Sequence, residues 1–361
     1  MKGRLIQKND ITKLVDLLRK DHKVMAPFRG RGRDSYFDEV TDANCNAVVL
    51  HLPNPYYPPK RYVLPHIQKL LKIGDGNRPS LEEIRDESKV AVFGIRSCDL
   101  EGIFHLDRFY LGNPFKDDYY EAMRSRLFLV NLVCTDTEKD IDDDCFCVCA
   151  DAGPAARSHF DLQLMDLHDR SGEFLAVAGT SAGEALLSES FFRRAASESV
   201  KRRRDVLEEV RRRFKSATSW YSAATKFITA GNIRDSTWKQ IGDRCLECGG
   251  CSYVCPTCSC FTVTDRKTGP ETWERIRIWD SCALSGFTRM AGGHNPRKAV
   301  HDRRNRRFFH KLGHQFIQRE FTVSCVGCGR CARVCHGDVG MPTVVEILRR
   351  ETAEAERTEK A

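Results

Sequence analysis

The residues with the most chemistry to offer are cysteines, 17 in 361 positions. Two runs, Cys245-Cys248-Cys251-Cys255 and Cys325-Cys328-Cys331-Cys335, share the form Cys-x2-Cys-x2-Cys-x3-Cys. That spacing wraps three thiolates around one cubane 4Fe-4S cluster and sends the fourth to a second cluster. Because it occurs twice, the runs can cross-ligate. One cluster then sits on Cys245, Cys248, Cys251 and Cys335, the other on Cys325, Cys328, Cys331 and Cys255. Gly249, Gly250, Gly327 and Gly329 suit loops whose backbone must pass close to sulfide and donate N–H bonds to it. Pro256 follows the first run, whereas His336 takes that place after the second. Zinc is the structural alternative, but zinc sites gather their ligands as two separated pairs, and each run here is unbroken.

A second set of thiols lies upstream. Cys98 follows the apolar run Val90 to Ile95, and Cys134 follows Leu127 to Val133. If these runs are parallel strands, both thiols emerge at the carboxyl edge of a sheet, where α/β folds place their ligands. Cys145 and Cys147 come next, after the acidic stretch Asp140 to Asp144. These four cysteines either converge on one site or remain buried, unligated thiols, a common state for cysteine. Spacing alone leaves both open. Cys45 and Cys149 are most simply free thiols, and Cys258, Cys260 and Cys282 receive no firm role. His294, in a turn-prone Gly-Gly-His-Asn-Pro segment, anchors a loop more naturally than it binds metal.

The elements that must position these residues divide the chain into three parts. Residues 1–187 read as an α/β domain. It opens with a helix capped by Asp10, with Ile11, Leu14, Val15 and Leu18 on one face. A Pro-rich loop follows at Asn54 to Lys60, then strands at Val90 to Ile95 and Leu127 to Val133, separated by helices near Leu100 to Phe109 and Tyr119 to Arg124. Strands near Phe160 to Met165 and Phe174 to Ala178 close it. Residues 188–241 read as a charged helical linker, in which Lys201 to Arg204, Glu208, Glu209 and Arg211 to Arg213 describe a solvated helix or a docking face for an acidic partner. Residues 242–361 form the cysteine-dense domain, ending in a frayed tail from Glu351. Its long insert between the runs shows few strand signals, which predicts a mostly α-helical dicluster ferredoxin-like fold.

Composition excludes several classes. A disulfide framework belongs to short secreted chains, whereas this one is long enough for two cores and begins MKGRLIQKND without an apolar leader, so a cytoplasmic chain with reduced thiols is expected. No apolar stretch reaches the length of a membrane span. The formal charge of +8 suggests nucleic acid, but each cubane with four thiolates carries about −2, so clusters account for much of the excess. There is no Rossmann fingerprint, P-loop or nucleophile elbow.

Longer motifs carry a family resemblance. They are Pro58-Pro59-Lys60 with Pro65, Arg96-Ser97-Cys98-Asp99, Cys145-Phe146-Cys147, Cys255-Pro256-Thr257-Cys258-Ser259-Cys260, Trp279-Asp280-Ser281-Cys282, Gly286 to His294, and Cys325 to Cys331. Together they resemble the β subunit of sulfhydrogenases and the iron–sulfur subunit of the three-subunit anaerobic sulfite reductases. The resemblance implies an α/β domain followed by a helical dicluster domain. It also implies a third cluster on Cys98, Cys134, Cys145 and Cys147. The implied role is electron relay between a flavoprotein that oxidises NAD(P)H and a catalytic subunit of hydrogenase, sulfite reductase or heterodisulfide-reductase type. Val148-Cys149-Ala150 and His336 depart from the pattern without touching a ligand.

Two rivals stand beside this reading. One is a zinc protein that recruits nucleic acid through Arg202 to Arg213 and Arg303 to Arg307. The other is an enzyme that handles a sulfur substrate at Cys258, Cys260 or the upstream thiols.

Overall fold

The computed structural model describes residues 3–32, 34–74, 80–112, 114–169, 171–214, 220–320 and 323–358. The apolar runs form the middle of an eight-stranded sheet. Its strands in chain order are β1 (Arg4–Gln7), β2 (Lys23–Arg29) and β3 (Ser35–Glu39), then, past two strands of another sheet, β6 (Val90–Ile95), β7 (Leu127–Leu132), β8 (Leu162–Asp166), β9 (Glu173–Ala178) and β10 (Arg193–Arg194). They lie side by side in the order β10-β1-β9-β8-β7-β6-β2-β3. The central pairs β2/β6, β6/β7 and β7/β8 are parallel, and the flanking pairs are antiparallel. The expected pairing of Val90–Ile95 with Leu127–Leu132 is therefore present, with Val92 opposite Leu129.

Both faces of the sheet are covered, which is why these strands read as unbroken apolar runs. Ala91, Phe93, Phe128, Val130 and Leu132 pack toward Ile11, Leu14, Val15 and Leu18 of α1 (Ile11–Leu18). Val92 and Leu129, one residue out of step, pack on the other face with Leu100 and Ile103 of α2 (Ser97–Leu111). Phe93 is wholly buried, so Phe93→Ala should cost about 3–5 kcal/mol. Asp10 does not cap α1 with its side chain but pairs with Lys13 at 2.8 Å. Helix α3 (Asp118–Arg124) leads into β7, and its cap is real, since Asp117 accepts from the Tyr120 N–H at 2.8 Å.

The remaining strands, β4 (Ile67–Gly74) and β5 (Ser80–Glu83), belong to a second sheet. Their partners lie far along the chain, in β11 (Phe261–Gly269) and β12 (Thr272–Trp279), giving the order β11-β12-β4-β5. This hairpin corrects the expectation of a helical insert between the two cysteine runs. Its apolar residues, among them Val263, Ile276 and Ile278, alternate with charges that pair across the ladder, Arg275 to Asp265 and Arg266 to Glu274, each at 2.8 Å. In the fold these charges are cross-strand ion pairs.

Helices supply the rest of the C-terminal part. After α4 (Ser181–Leu186), helix α5 (Ser197–Arg213) carries the charged stretch, and its Val206, Leu207 and Val210 bury against Val133, Ile141 and Met165. Residues 215–219 of that stretch lie outside the described residues. Helices α6 (Trp220–Ala230), α7 (Asp235–Asp243), α9 (Val300–Leu312) and α12 (Met341–Thr358) meet around Ile228, Trp238, Ile241, Phe308, Val344 and Leu348. Short helices α8 (Gly250–Tyr253) and α11 (Arg330–Arg333) sit inside the cysteine runs, and α10 (His314–Glu320) follows α9. The frayed tail is helical as far as Thr358, and residues 359–361 of it lie outside the described residues. Among the described residues no helix is long and apolar enough to cross a membrane.

Candidate metal centres

The two cysteine runs have one local fold. In each, the glycine after the second cysteine is left-handed, Gly249 at φ 73° and Gly329 at φ 77°, and opens a one-turn helix that carries the third cysteine. A side chain at either position would be strained by that φ. Val254 and Val334 end these helices just before Cys255 and Cys335. Backbone N–H groups already reach two of the sulfurs, Val339 donating to Cys335 and Met341 to Cys331, each at 3.3 Å.

Several of the thiols lie within electrostatic reach of one another. Cys245 feels the charges of Cys251 and Cys335, so the last cysteine of the second run faces the first run. Cys328 feels those of Cys331 and, in the reciprocal sense, of Cys255. Cys248 is the exposed member. Upstream, Cys145 and Cys147 face Cys134, and Cys98 faces Cys147. Among the described residues no three cysteine, histidine or carboxylate side chains stand close enough to share one ion. A cubane asks for less proximity, because each of its thiolates binds a different iron.

A rigid frame holds the upstream thiols. Arg96, at the end of β6, donates to the Leu52 carbonyl at 2.6 Å and pairs with Asp140 at 3.2 Å. Asp140 accepts from the backbone of Thr135 and Asp136, at 2.9 and 3.0 Å, and from His51 at 3.2 Å. The start of α2, which bears Cys98, and the loop bearing Cys134 are thus tied to one buried ion pair. Burial disfavours each thiolate, pushing Cys134 up to about 11, against the pull of Arg96, and Cys145 up to about 12. A positive centre is what such thiols need to ionise.

The upstream group abuts the second run directly. Phe146 donates its N–H to the Gly327 carbonyl at 2.8 Å, Cys145 approaches the Cys328 carbonyl at 3.8 Å, and Asn54 bridges the Cys98 sulfur at 3.8 Å and the Cys328 carbonyl at 2.8 Å. A Cβ on Gly327 would lie 2.6 Å from the Cys147 nitrogen. Beside these contacts Arg330 clasps Asp99 through two bonds of 2.6 and 2.7 Å, with both side chains buried.

Four buried cations surround the two runs, and none has a carboxylate partner among the described residues: Lys60, Arg304, Arg307 and Lys311. Arg304 Nη1 lies 3.7 Å from the Cys251 sulfur and Arg307 Nη1 3.7 Å from that of Cys258. Arg304 Nε and Nη2 and Arg307 Nε have no hydrogen-bond acceptor among the described residues. Lys60 reaches in from the Pro-rich loop, donating to the Cys258 carbonyl at 2.9 Å, and Lys311 donates to Thr257 Oγ1 at 2.7 Å. Buried charges without counter-charges are costly. Two cubanes at about −2 each would neutralise this set, so the donor set and its surroundings fit anionic, thiolate-held clusters. The same burial removes Arg303, Arg304 and Arg307 from any surface that nucleic acid could touch. His294 is exposed in a loop. The cations escaped sequence reading because a basic run on a helix reads as solvated until its neighbours are known.

Comparison with known proteins agrees with this geometry. Residues 244–339 match the 4Fe-4S dicluster domain family. Over 316 residues the chain is 30% identical to sulfhydrogenase 2 subunit beta of Pyrococcus furiosus, covering 87% of this chain and 88% of that one. The match takes in the α/β part as well as the dicluster domain, and the chain belongs to the family of sulfhydrogenase beta subunits.

Proposed function

We propose that the chain is the electron relay of a multi-subunit oxidoreductase. In this reading 4Fe-4S clusters are held by Cys245, Cys248, Cys251 and Cys335, by Cys325, Cys328, Cys331 and Cys255, and by Cys98, Cys134, Cys145 and Cys147. When bound, such clusters take up and release electrons one at a time. The observation that carries the proposal is the position of Cys328, in electrostatic reach of Cys98, Cys145 and Cys147 on one side and of Cys255 and Cys331 on the other. The second run is then the middle of the wire, with the upstream site and the first run as its ends. Lys60, Arg304, Arg307 and Lys311 offset the negative charge, and the N–H groups of Val339 and Met341 stabilise thiolate sulfur.

The partners in this reading are a flavoprotein that oxidises NAD(P)H and a catalytic subunit of hydrogenase, sulfite reductase or heterodisulfide-reductase type, in the cytoplasm. Residues 1–187 carry the upstream site, 188–241 the linker and 242–361 the dicluster. Support for a hydrogenase partner comes from the name of the Pyrococcus relative.

The test is anaerobic purification of the full chain, with iron and acid-labile sulfide assayed and reduction followed by paramagnetic resonance. Cys335→Ser should disturb the cluster of the first run more than that of its own run. A colourless protein that contains zinc and no acid-labile sulfide would sink the reading.

A further inference from the structure

A cleft of about 770 Å³ opens between the Pro-rich loop, the start of β4, α8 and the end of β12, and none of the proposed cluster ligands lines it. Small-molecule pockets span about 300–1,000 Å³. Its walls are mostly rings, those of Tyr57, Tyr62, His66, Tyr253 and Trp279. Three of them interlock, since His66 lies edge-on to Tyr253 and to Trp279, with ring centroids 5.9 and 5.3 Å apart. Trp279 is fixed at two further points: its indole N–H donates to the Leu64 carbonyl at 2.9 Å, and its backbone N–H to the His66 carbonyl at 3.0 Å. Behind it stand Val63, Leu64 and Tyr110 of a buried apolar cluster, so this wall is formed before any ligand arrives. Tyr57 and Ile67, 51% and 52% exposed, border the opening.

We propose that this cleft binds a flavin nucleotide, a planar electron-poor ring that carries an anionic tail. The faces of tyrosine and tryptophan are electron-rich, and stacking on them suits such a ring. Arg61 offers the tail a partner: it lies exposed in the cleft wall and has no carboxylate partner among the described residues. A guanidinium binds phosphate through paired hydrogen bonds. No acidic side chain lines the cleft, so nothing in its wall repels an anion.

The place gives a further reason. Tyr253 stands between Cys251 and Cys255 in the chain. Lys60, whose Nζ lies 4.2 Å from the centre of the Trp279 ring, donates to the Ser252 and Cys258 carbonyls at 3.5 and 2.9 Å. A ring that carries electrons would therefore lie beside the first cysteine run. That significance rests on the relay reading; the binding itself does not.

The probe is flavin mononucleotide, incubated anaerobically in the dark with the full-length chain as purified and partitioned by ultrafiltration, with riboflavin and adenosine monophosphate as separate arms. Wild type should retain flavin mononucleotide with a dissociation constant of about 1 μM, within the usual affinity for a ligand of that size. Riboflavin should bind about tenfold more weakly, and adenosine monophosphate at least about a hundredfold more weakly. Tyr57→Ala should weaken both flavins by about three- to tenfold. Arg61→Gln should weaken flavin mononucleotide by about tenfold and leave riboflavin unchanged. Both side chains are exposed, so iron content and thermal unfolding of the two variants should match wild type. Flavin mononucleotide passing freely through the filter with wild type would overturn the proposal. So would equal retention of adenosine monophosphate, which would leave only the phosphate recognised, or retention that neither variant changes, which would put the flavin elsewhere. Low wild-type iron and sulfide with flavin retained would overturn the relay reading and leave this proposal standing.

Discussion

Arg330→Met tests the junction between the upstream thiols and the second cysteine run. Arg330 belongs to α11, one residue before Cys331, and Asp99 follows Cys98 in the first turn of α2. Their two bonds, 2.6 and 2.7 Å long, join side chains that are 1% and 0% exposed. Removing the guanidinium leaves the Asp99 carboxylate buried and alone, at a cost of about 3–5 kcal/mol. The bond from Arg330 Nε to the Pro55 carbonyl, 2.6 Å, adds about 1 kcal/mol. Native-state hydrogen exchange at the amides of Cys98 to Leu100 and Cys331 to Arg333 reads this opening locally. At about 1.4 kcal/mol per decade, exchange there should accelerate by roughly three to four orders of magnitude. The double replacement Arg330→Met with Asp99→Leu removes both charges and should recover most of the loss. Exchange within about tenfold of wild type in the single variant, or a double variant as poor as the sum of the two singles, would refute the reasoning.

Further outcomes follow from the same structure. His51 stands between Asp140 and Asp166, at 3.2 and 2.9 Å; burial alone would lower its pKa, but the two carboxylates outweigh that and raise it to about 9. Its contribution is therefore complete below about pH 6.5 and is lost as pH rises through about 9. That amounts to about 3 kcal/mol, and His51→Gln should flatten the pH dependence in urea unfolding. Gly327→Ala forces a left-handed residue with its Cβ 2.6 Å from the Cys147 nitrogen. It should cost about 2–4 kcal/mol and release iron, measured by thermal unfolding and iron assay. Lys311→Met removes a buried cation beside Cys255 and Cys325, and should lower a cluster midpoint potential in a redox titration. The shift should be about 50–100 mV, the one-electron equivalent of about 1–2 kcal/mol at an effective dielectric of about 20.

The sequence made the cysteine runs legible because their ligand spacing is local, set by one helical turn and one left-handed glycine at Gly249 and Gly329. The parallel core was legible for a similar reason, since strands covered on both faces cannot hide their apolar runs at Val90–Ile95 and Leu127–Leu132. What stayed hidden depends on distant partners. The β11/β12 hairpin alternates apolar residues with Arg266, Arg275 and Arg277, and its strand character is plain only once β4 lies beside it. Arg304 entered the sequence reading only within the basic run Arg303 to Arg307, yet it and Lys311 are among the most buried of the described residues. Lys60 was visible only as part of a Pro-Pro-Lys motif, and its contact with the Cys258 carbonyl links positions nearly two hundred residues apart.

The central claim, that the upstream thiols hold a third cluster at one end of the wire, is tested most directly by iron and acid-labile sulfide per chain in wild type and in Cys147→Ser. A third cluster predicts about twelve irons in wild type and about eight in the variant, with the resonance signals of the two C-terminal clusters retained. Wild type at about eight irons, unchanged by Cys147→Ser, would contradict it.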